Sequence, residues 1–474
     1  MFKKIQRVIV TISKQEYLKA TAYYVVANII GQGVVLLSSA VFTRMMPKAD
    51  YGLVSTYSAW VLVLNTFVCL NLFISVRTAY VDFREEYDSY VSSVLLLNII
   101  SGCIISLVII AWNVLYGKGF GILEVVLACI QSVALNIINY QLAVQSMKNE
   151  YRQRALMMIA PNFTHVILSI VFMLLFSQNL YLAKVSGNSI GLLAFGVIIL
   201  CAVFTKTRPR ILTKYWKYAL SLSIPSIFIT LSDLILIQSD RLMLKSISGA
   251  EETAEYSVIY NVSSIIVAIY QAINGAWLPW FFGRVKENDY SKARKYQGYY
   301  LLAFSVFTCG MMTISPEMIK ILSPQNYWGG IRYVSPIVVA SYIIYLYTFF
   351  SSYMLYHKRT IMIAIYTIMA AIMNVILNSV LIPKYDAVGA ATATVISYAT
   401  LFALYFVAIL VDGKQYFCIS KIWIHIAIVS SYGIMFYFIS DNILGRYSLF
   451  IIILLLAYLI RGRHIIAENI GGKK

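Results

Sequence analysis

The sequence predicts an all-α polytopic membrane protein of about fourteen transmembrane helices, arranged as two six-helix lobes in parallel repeat plus two C-terminal helices. Composition is the first reason: 60% of the 474 residues are hydrophobic and only 12% are charged, outside the range of soluble domains. The second is the recurrence of apolar runs of bilayer length, at roughly 20–43, 53–75, 89–115, 120–144, 155–177, 181–204, 218–240, 254–280, 297–315, 333–356, 360–382, 387–411, 418–439 and 447–466. The third is charge. Of the 38 Lys and Arg, 28 fall in alternate loops and termini and 10 on the other side, while the acids divide 10 and 10, so the whole surplus of +18 lies on one face. That asymmetry marks the cytoplasmic side and puts both termini there. A nucleic-acid footprint would gather on one domain, so no nucleic-acid partner is expected.

The chain opens with the basic stretch MFKKIQRVIVTISKQEYLK. The apolar run behind it is too long for a cleaved signal, so it reads as an uncleaved lead-in at the inner surface. The first span carries Asn28 and Gln32 one helical turn apart, as cavity-lining polar groups or as interhelical hydrogen-bonding glue. The fourth span is polar for its setting, with Gln131, Asn136, Asn139, Gln141 and Gln145, and is expected to face a cavity or form a wet helix end. The fifth holds Pro161 and His165, and the sixth holds Lys184 and the small-residue face GNSIG from Gly187 to Gly191. The longest hydrophilic connection, Lys206 to Lys217, follows; no soluble domain fits in any loop.

The seventh span contains Asp233 and closes on Asp240-Arg241, with Lys245 beyond. Asp233 lies sixteen residues past Lys217, roughly 24 Å along a helix, and ionisable groups at such depth are functional candidates. The eighth span bears Asn261, Gln271 and Asn274 before an aromatic exit, WLPWFFGR. SPEMIKILSPQNYWGG, from Ser315 to Gly330, reads as a turn between spans nine and ten. The eleventh span has Asn374 and Asn378 four apart, and Gly389, Ala393 and Ser397 give the twelfth a packing face. Spans thirteen and fourteen lack strong polarity and read as an appendix to a twelve-span core.

The layout of span one returns in span seven. Tyr17 and Lys19 match Tyr215 and Lys217 at an offset of 198, and Arg44 and Lys48 match Arg241 and Lys245 at 197. Such duplication is the mark of transporters built from repeats. The expected domains are an N-terminal lobe at 1–205, a cytoplasmic linker at 206–217, a C-terminal lobe at 218–412, and two further spans with a cytoplasmic tail at 413–474.

Catalysis finds no footing: there is no Gly-rich phosphate loop, no D-x-D pair and no H-E-x-x-H. The six cysteines form no C-x-x-C pair and the four histidines are scattered, so no metal site, cofactor or enzymatic activity is expected.

The turn TRMMPKADYG, the SIPS and SDR elements of span seven, AEYSVIYNV, AINGAWLPWFF, SPEMIKIL and above all LIPKYDAVGAATATVISY together resemble the Wzx-type O-antigen and polysaccharide flippases of the multidrug/oligosaccharidyl-lipid/polysaccharide superfamily. The resemblance covers nearly the whole chain. It implies two lobes around a cavity that opens alternately to either side. It also implies a substrate, an oligosaccharide on a polyprenyl diphosphate, moved across a bacterial inner membrane for O-antigen, capsule or exopolysaccharide synthesis. The lipid bilayer and the polysaccharide polymerase machinery are the other expected partners. An ion-coupled drug or cation antiporter of the same superfamily is the alternative. A diphosphate in a low-dielectric cavity calls for guanidinium forks, which makes Arg44, Arg241 and Arg77 the candidates, against a plain role as interfacial cations at helix ends. Asn28, Gln32, Asn261 and Gln271 are the cavity-lining candidates, and Asp233 and Asp240 the ion-coupling or charge-partner candidates.

The charge asymmetry predicts that cysteines introduced in the 284–295 loop resist membrane-impermeant thiol reagents applied to intact cells. Labelling there without permeabilisation would reverse the orientation.

Overall fold

The computed structural model describes residues 2–117 and 120–455, with side chains from residue 23 onward except those of residues 25, 272 and 276. Among the described residues the chain is helical and contains no strand. The helices are α1 (Phe2–Met45), α2 (Lys48–Val68), α3 (Ser75–Asp82), α4 (Tyr87–Tyr116), α5 (Ile122–Met147), α6 (Tyr151–Leu175) and α7 (Leu180–Lys206). They continue with α8 (Thr213–Ile247), α9 (Ala250–Lys286), α10 (Tyr290–Leu322), α11 (Val334–Tyr356), α12 (Thr360–Asp412), α13 (Ile419–Ile439) and α14 (Ile443–Leu455). Twelve of them are long and apolar enough to cross a bilayer.

The fourteen expected spans and these twelve helices differ for two reasons. Straight, the 53 residues of α12 would measure about 80 Å, far more than a bilayer core. Asp386 interrupts it at φ 49°, ψ −132°, and the chain turns back there. A Cβ on Gly389 would lie 2.3 Å from the Leu381 carbonyl oxygen, whereas residues eight apart on one straight helix are about 12 Å apart. The eleventh and twelfth expected spans are thus the two limbs of α12. The fourteenth, at 447–466, is described only as far as Leu455 in α14; its remainder, the tail after it and the side chains of the N-terminal lead-in lie outside the described residues.

The chain forms two compact units, the first ending at Gln238 and the second starting at Ser239, within α8. In the first, α7 packs on α5 and α6, α6 also on α1, and α5 on α2 and α4. Close approach of α6 and α7 depends on the small residues of GNSIG. A Cβ at Gly187 would stand 2.5 Å from Ser169 Cα, and one at Gly191 2.7 Å from His165 Cα. Part of the polar fourth span, now α5, serves as joinery between helices: Gln131 and Asn136 are buried, while Asn139 and Gln141 are half-buried. Asn136 Oδ1 accepts from Asn98 Nδ2 at 2.7 Å, Asn65 Nδ2 donates to the Ser132 carbonyl at 2.7 Å, and Ser189 Oγ donates to Gln131 Oε1 at 3.3 Å. Without water, polar groups on packed helices satisfy one another.

In the second unit α11 packs on α9 and on α12, and α10 on α9 and α13. The expected turn after Ser315 is instead the end of α10, which runs through Pro316 to Leu322; a 3-10 helix, Gln325–Tyr333, follows. The C-terminal appendix is not wholly apolar either. Arg446, 1% exposed, lies in α14 and donates to the Thr313 carbonyl of α10 at 2.5 Å. Its guanidinium also forks onto Glu317 at 2.9 and 2.5 Å, so two acceptors on one helix fix the other.

The turn in α12 is expected to be intolerant of any side chain at Gly389. Gly389→Ala should lower the thermal midpoint of the detergent-solubilised protein by several degrees. Gly283→Ala, whose Cβ meets nothing within 4 Å, should hold or raise it, since alanine favours helix by about 0.5–1 kcal/mol. Equal midpoints for the two variants would show that the limbs open without cost.

Candidate functional site

The second unit buries a carboxylate. Asp240 is 1% exposed at the end of α8. Its Oδ2 accepts from Tyr256 Oη of α9 at 2.7 Å and from Thr394 Oγ1 at 2.5 Å, and its Oδ1 accepts from Asn378 Nδ2 at 2.8 Å. Behind it, Asn374 Oδ1 accepts from Ser239 Oγ at 2.6 Å and from Asn378 Nδ2 at 3.0 Å.

The α12 turn builds this arrangement. Asn378 lies eight residues before Asp386 and Thr394 eight after it, so the two limbs bring them level against one carboxylate. Asn374 joins them from one helical turn below Asn378, on the same face. Small residues on the second limb, including the buried Ala390, Ala391 and Ala393, leave room for the approach.

No ion pair to Asp240 is formed among the described residues; its donors are neutral. Asn378 Oδ1, fully buried, has no hydrogen-bond partner. One carboxylate, amide oxygens and hydroxyls make a hard oxygen donor set. Its single negative charge matches a proton or a monovalent cation. No group of three or more His, Cys, Asp or Glu that could hold a metal ion occurs among the described residues. Beside the cluster, a narrow cleft of about 10 Å³ is lined by Tyr260, Ser263, Ser264, Ser341 and Tyr398 together with apolar Val267, Ile337 and Ile344, and Thr394 belongs to both. Arg241 stands next to it, half-buried, with its guanidinium 4.6 Å from the Tyr260 ring centroid, a cation–π contact.

The other residues singled out in the sequence are distributed differently. In the second unit, Asn261 is half-buried on α9, its carbonyl accepting from Ser264 Oγ at 2.6 Å, and Gln271 is exposed. In the first unit, Arg44 is exposed near the end of α1 and donates to the Ala40 carbonyl of its own helix at 2.9 Å. Arg77 is exposed on the short α3, Asn28 is exposed and Gln32 half-buried on α1. Asp233 is exposed on α8, with no ion pair among the described residues. The structure therefore brings together Asp240, Arg241 and the Tyr260 cleft. Sequence reasoning had marked Asn374 and Asn378 by their spacing without a role, and had missed Thr394 and Ser239 altogether.

Two compact helical units, twelve helices long and apolar enough to cross a bilayer, and a buried acid on α8 held by both limbs of α12 make a polytopic helical membrane fold. Solved structures agree. The chain superposes on a lipid II flippase in an inward closed conformation with a TM-score of 0.70 at 15% identity, covering 95% of this chain and 100% of that one. A multidrug resistance MATE family transporter of the MOP superfamily, in an inward-facing conformation, gives 0.65 at 12% identity, over 82% and 98%. The profile of the polysaccharide biosynthesis protein family matches residues 17–283, and the chain belongs to that family. A probable low-salt glycan biosynthesis flippase of Haloferax volcanii is 25% identical over 400 residues, 79% of each chain.

The carboxylate cluster predicts a graded loss of stability. Asp240→Ala leaves three donors without their acceptor, at roughly 1–3 kcal/mol each. Its thermal midpoint should fall well below that of Asp240→Asn, which keeps an acceptor oxygen. Midpoints equal to wild type in both would mean that the donors find other partners.

Proposed function

We propose that this chain is a flippase that moves an oligosaccharide on a polyprenyl diphosphate across a bacterial inner membrane, by alternating access, for O-antigen, capsule or exopolysaccharide synthesis. The observation that carries the reading is membership of the polysaccharide biosynthesis protein family over residues 17–283. The likeness to a probable glycan biosynthesis flippase and the fold shared with a lipid II flippase support it. On this reading Arg44, Arg241 and Arg77 supply guanidinium forks to the diphosphate, and Asn28, Gln32, Asn261 and Gln271 bond the sugar. The Asp240 cluster takes the coupling cation, as its oxygen set and single charge suit. Asp233 is the second candidate for that role. Both termini and the 206–217 connection face the cytoplasm, and the polymerase machinery receives the product.

Transport in vesicles reconstituted with the full chain and a fluorescent polyprenyl-diphosphate oligosaccharide tests the reading. Arg44→Ala and Arg241→Ala should each slow flipping roughly tenfold or more, the worth of a hydrogen bond to a charged group. Lys at either place should restore part of the rate, because charge returns without the fork. Wild-type rates in both Ala variants would remove these arginines from the substrate site. No flipping by the wild type, together with cation-driven efflux of a cationic drug from the same vesicles, would replace the flippase by the antiporter.

A further inference from the structure

A second concave site lies in the first unit and is lined by none of the site residues named above. Lys206, Thr207, Arg208, Arg210 and Leu212 line an open concavity of about 380 Å³ with Ser89 and Ser92. The pocket lies where α7 ends, α4 begins and α8 begins, so three spanning helices bring it to the level of one bilayer surface. The connecting segment is pinned there. Leu212 N donates to Ser93 Oγ at 3.3 Å and Trp216 Nε1 to the Ser93 carbonyl at 3.0 Å.

The pocket carries surplus positive charge. Arg208 and Arg210 are exposed and have no acidic partner among the described residues. The acid nearest Lys206 is Asp88, whose Oδ2 is 3.7 Å from Nζ. Asp88 is itself engaged by Lys148, which donates to its Oδ1. The hydroxyls of Ser89 and Thr207 supply neutral donors between the cations. Two guanidinium forks and hydroxyl donors around a concavity are the chemistry of a phosphate site. Around it are groups suited to a bilayer interface. Ile211, 64% exposed, adjoins Arg210, and the half-buried Phe83 and Tyr218 stand at the same helix ends, Phe83 packed on the buried Tyr90 and Tyr215. A dissolved phosphate needs no such apolar flank, whereas a lipid phosphate with attached acyl chains does.

We propose that this pocket binds the phosphate headgroup of an anionic phospholipid of the surrounding leaflet, through Arg208, Arg210 and Lys206. The bound lipid holds the connection between α7 and α8 against the start of α4. The site is separate from the transport site, and its occupancy does not depend on what the protein transports.

Thermal shift of the full-length protein in neutral detergent tests this, titrated with dioctanoyl phosphatidylglycerol, dioctanoyl phosphatidylcholine or inorganic pyrophosphate. Phosphatidylglycerol should raise the midpoint saturably, and phosphatidylcholine should not. In R208Q/R210Q the phosphatidylglycerol concentration for half-effect should rise roughly 30-fold, about fivefold for each cation removed. R208K/R210K should keep part of the affinity, since charge remains without the fork, and K286Q, outside the pocket, all of it. If the double Gln variant fails to fold, R208Q alone should show the fivefold change. Equal shifts with both lipids, or an unaltered response in the Gln variants, would overturn the proposal. So would protection by pyrophosphate with none by phosphatidylglycerol, which would make the pocket a site for dissolved phosphate.

Discussion

A peptide group in hydrocarbon has no water to turn to, so each backbone N–H and C=O of a spanning segment must find its partner inside that segment. Helices answer the backbone half of this constraint, and the described chain is helical nearly throughout. The side-chain half is more demanding. Asn98 with Asn136, Asn65 with the Ser132 carbonyl, and Arg446 with Glu317 and the Thr313 carbonyl each join two helices, because a side-chain donor buried between helices has no water to bond instead. Packing follows from this pairing, since hydrocarbon side chains gain nothing by leaving lipid for another apolar surface. The pairs set which helix faces which, and small residues such as Gly187 and Gly191 then set how close they come.

Asp240 meets the same constraint in another way. A buried ion pair is complete, and removing either member leaves a costly lone charge. Arg446 and Glu317 form such a pair, with the arginine 1% exposed and the glutamate at the rim, and their effect is to fix α14 on α10. Asp240 has hydroxyl and amide donors instead. Neutral donors stabilise the carboxylate without cancelling its charge, and an unpartnered amide oxygen, Asn378 Oδ1, remains beside it. Tyr256, Asn378 and Thr394 come from three helical segments, so displacement of α8, α9 or either limb of α12 alters the cluster. Under the proposed function, a bound ion would change the bonds to all of these segments at once, the kind of differential contact through which a ligand shifts a conformational equilibrium.

Much of the fold was legible, and the reasons are local. Span positions follow from runs of apolar residues, and the α12 turn from Pro383, Asp386 and Gly389 falling between two such runs. Other features were not legible because their causes are distant in sequence. Asn378 and Thr394 are 138 and 154 residues from Asp240, and no periodicity in either segment names the other. The polar residues of α5 show how composition misleads. Five amides on one span suggested water, but Asn136 and Gln131 are buried against neighbouring helices. Hydropathy records that a residue is polar, not whether its partner is water or another helix. Arg44 and Arg241 share a place in the repeated pattern, yet one is exposed and the other half-buried over Tyr260. A repeat in sequence preserves residue type more readily than environment.

The charge inventory also bears on what could drive export under the proposed function. A cation fixed to a helix does no electrical work unless the helix carries it across the field, whereas charge on a transported molecule crosses the whole potential. For a diphosphate carrying −1 to −2 and a potential of ~150 mV, negative inside, outward passage releases roughly 3.5–7 kcal/mol at about 2.3 kcal/mol per charge per 100 mV. Substrate charge alone is therefore enough to drive the loaded step. The return of the empty carrier has no such charge to use. Under the proposed function, a cation taken up by Asp240, which neutral donors hold, gives that step a positive charge moving inward down the same potential. A permanently paired arginine at the same place would cancel the carboxylate and remove that charge. On that reading the neutral surroundings of Asp240 complement the guanidinium forks proposed for the substrate: one set of groups fits a moving anion, the other a moving cation.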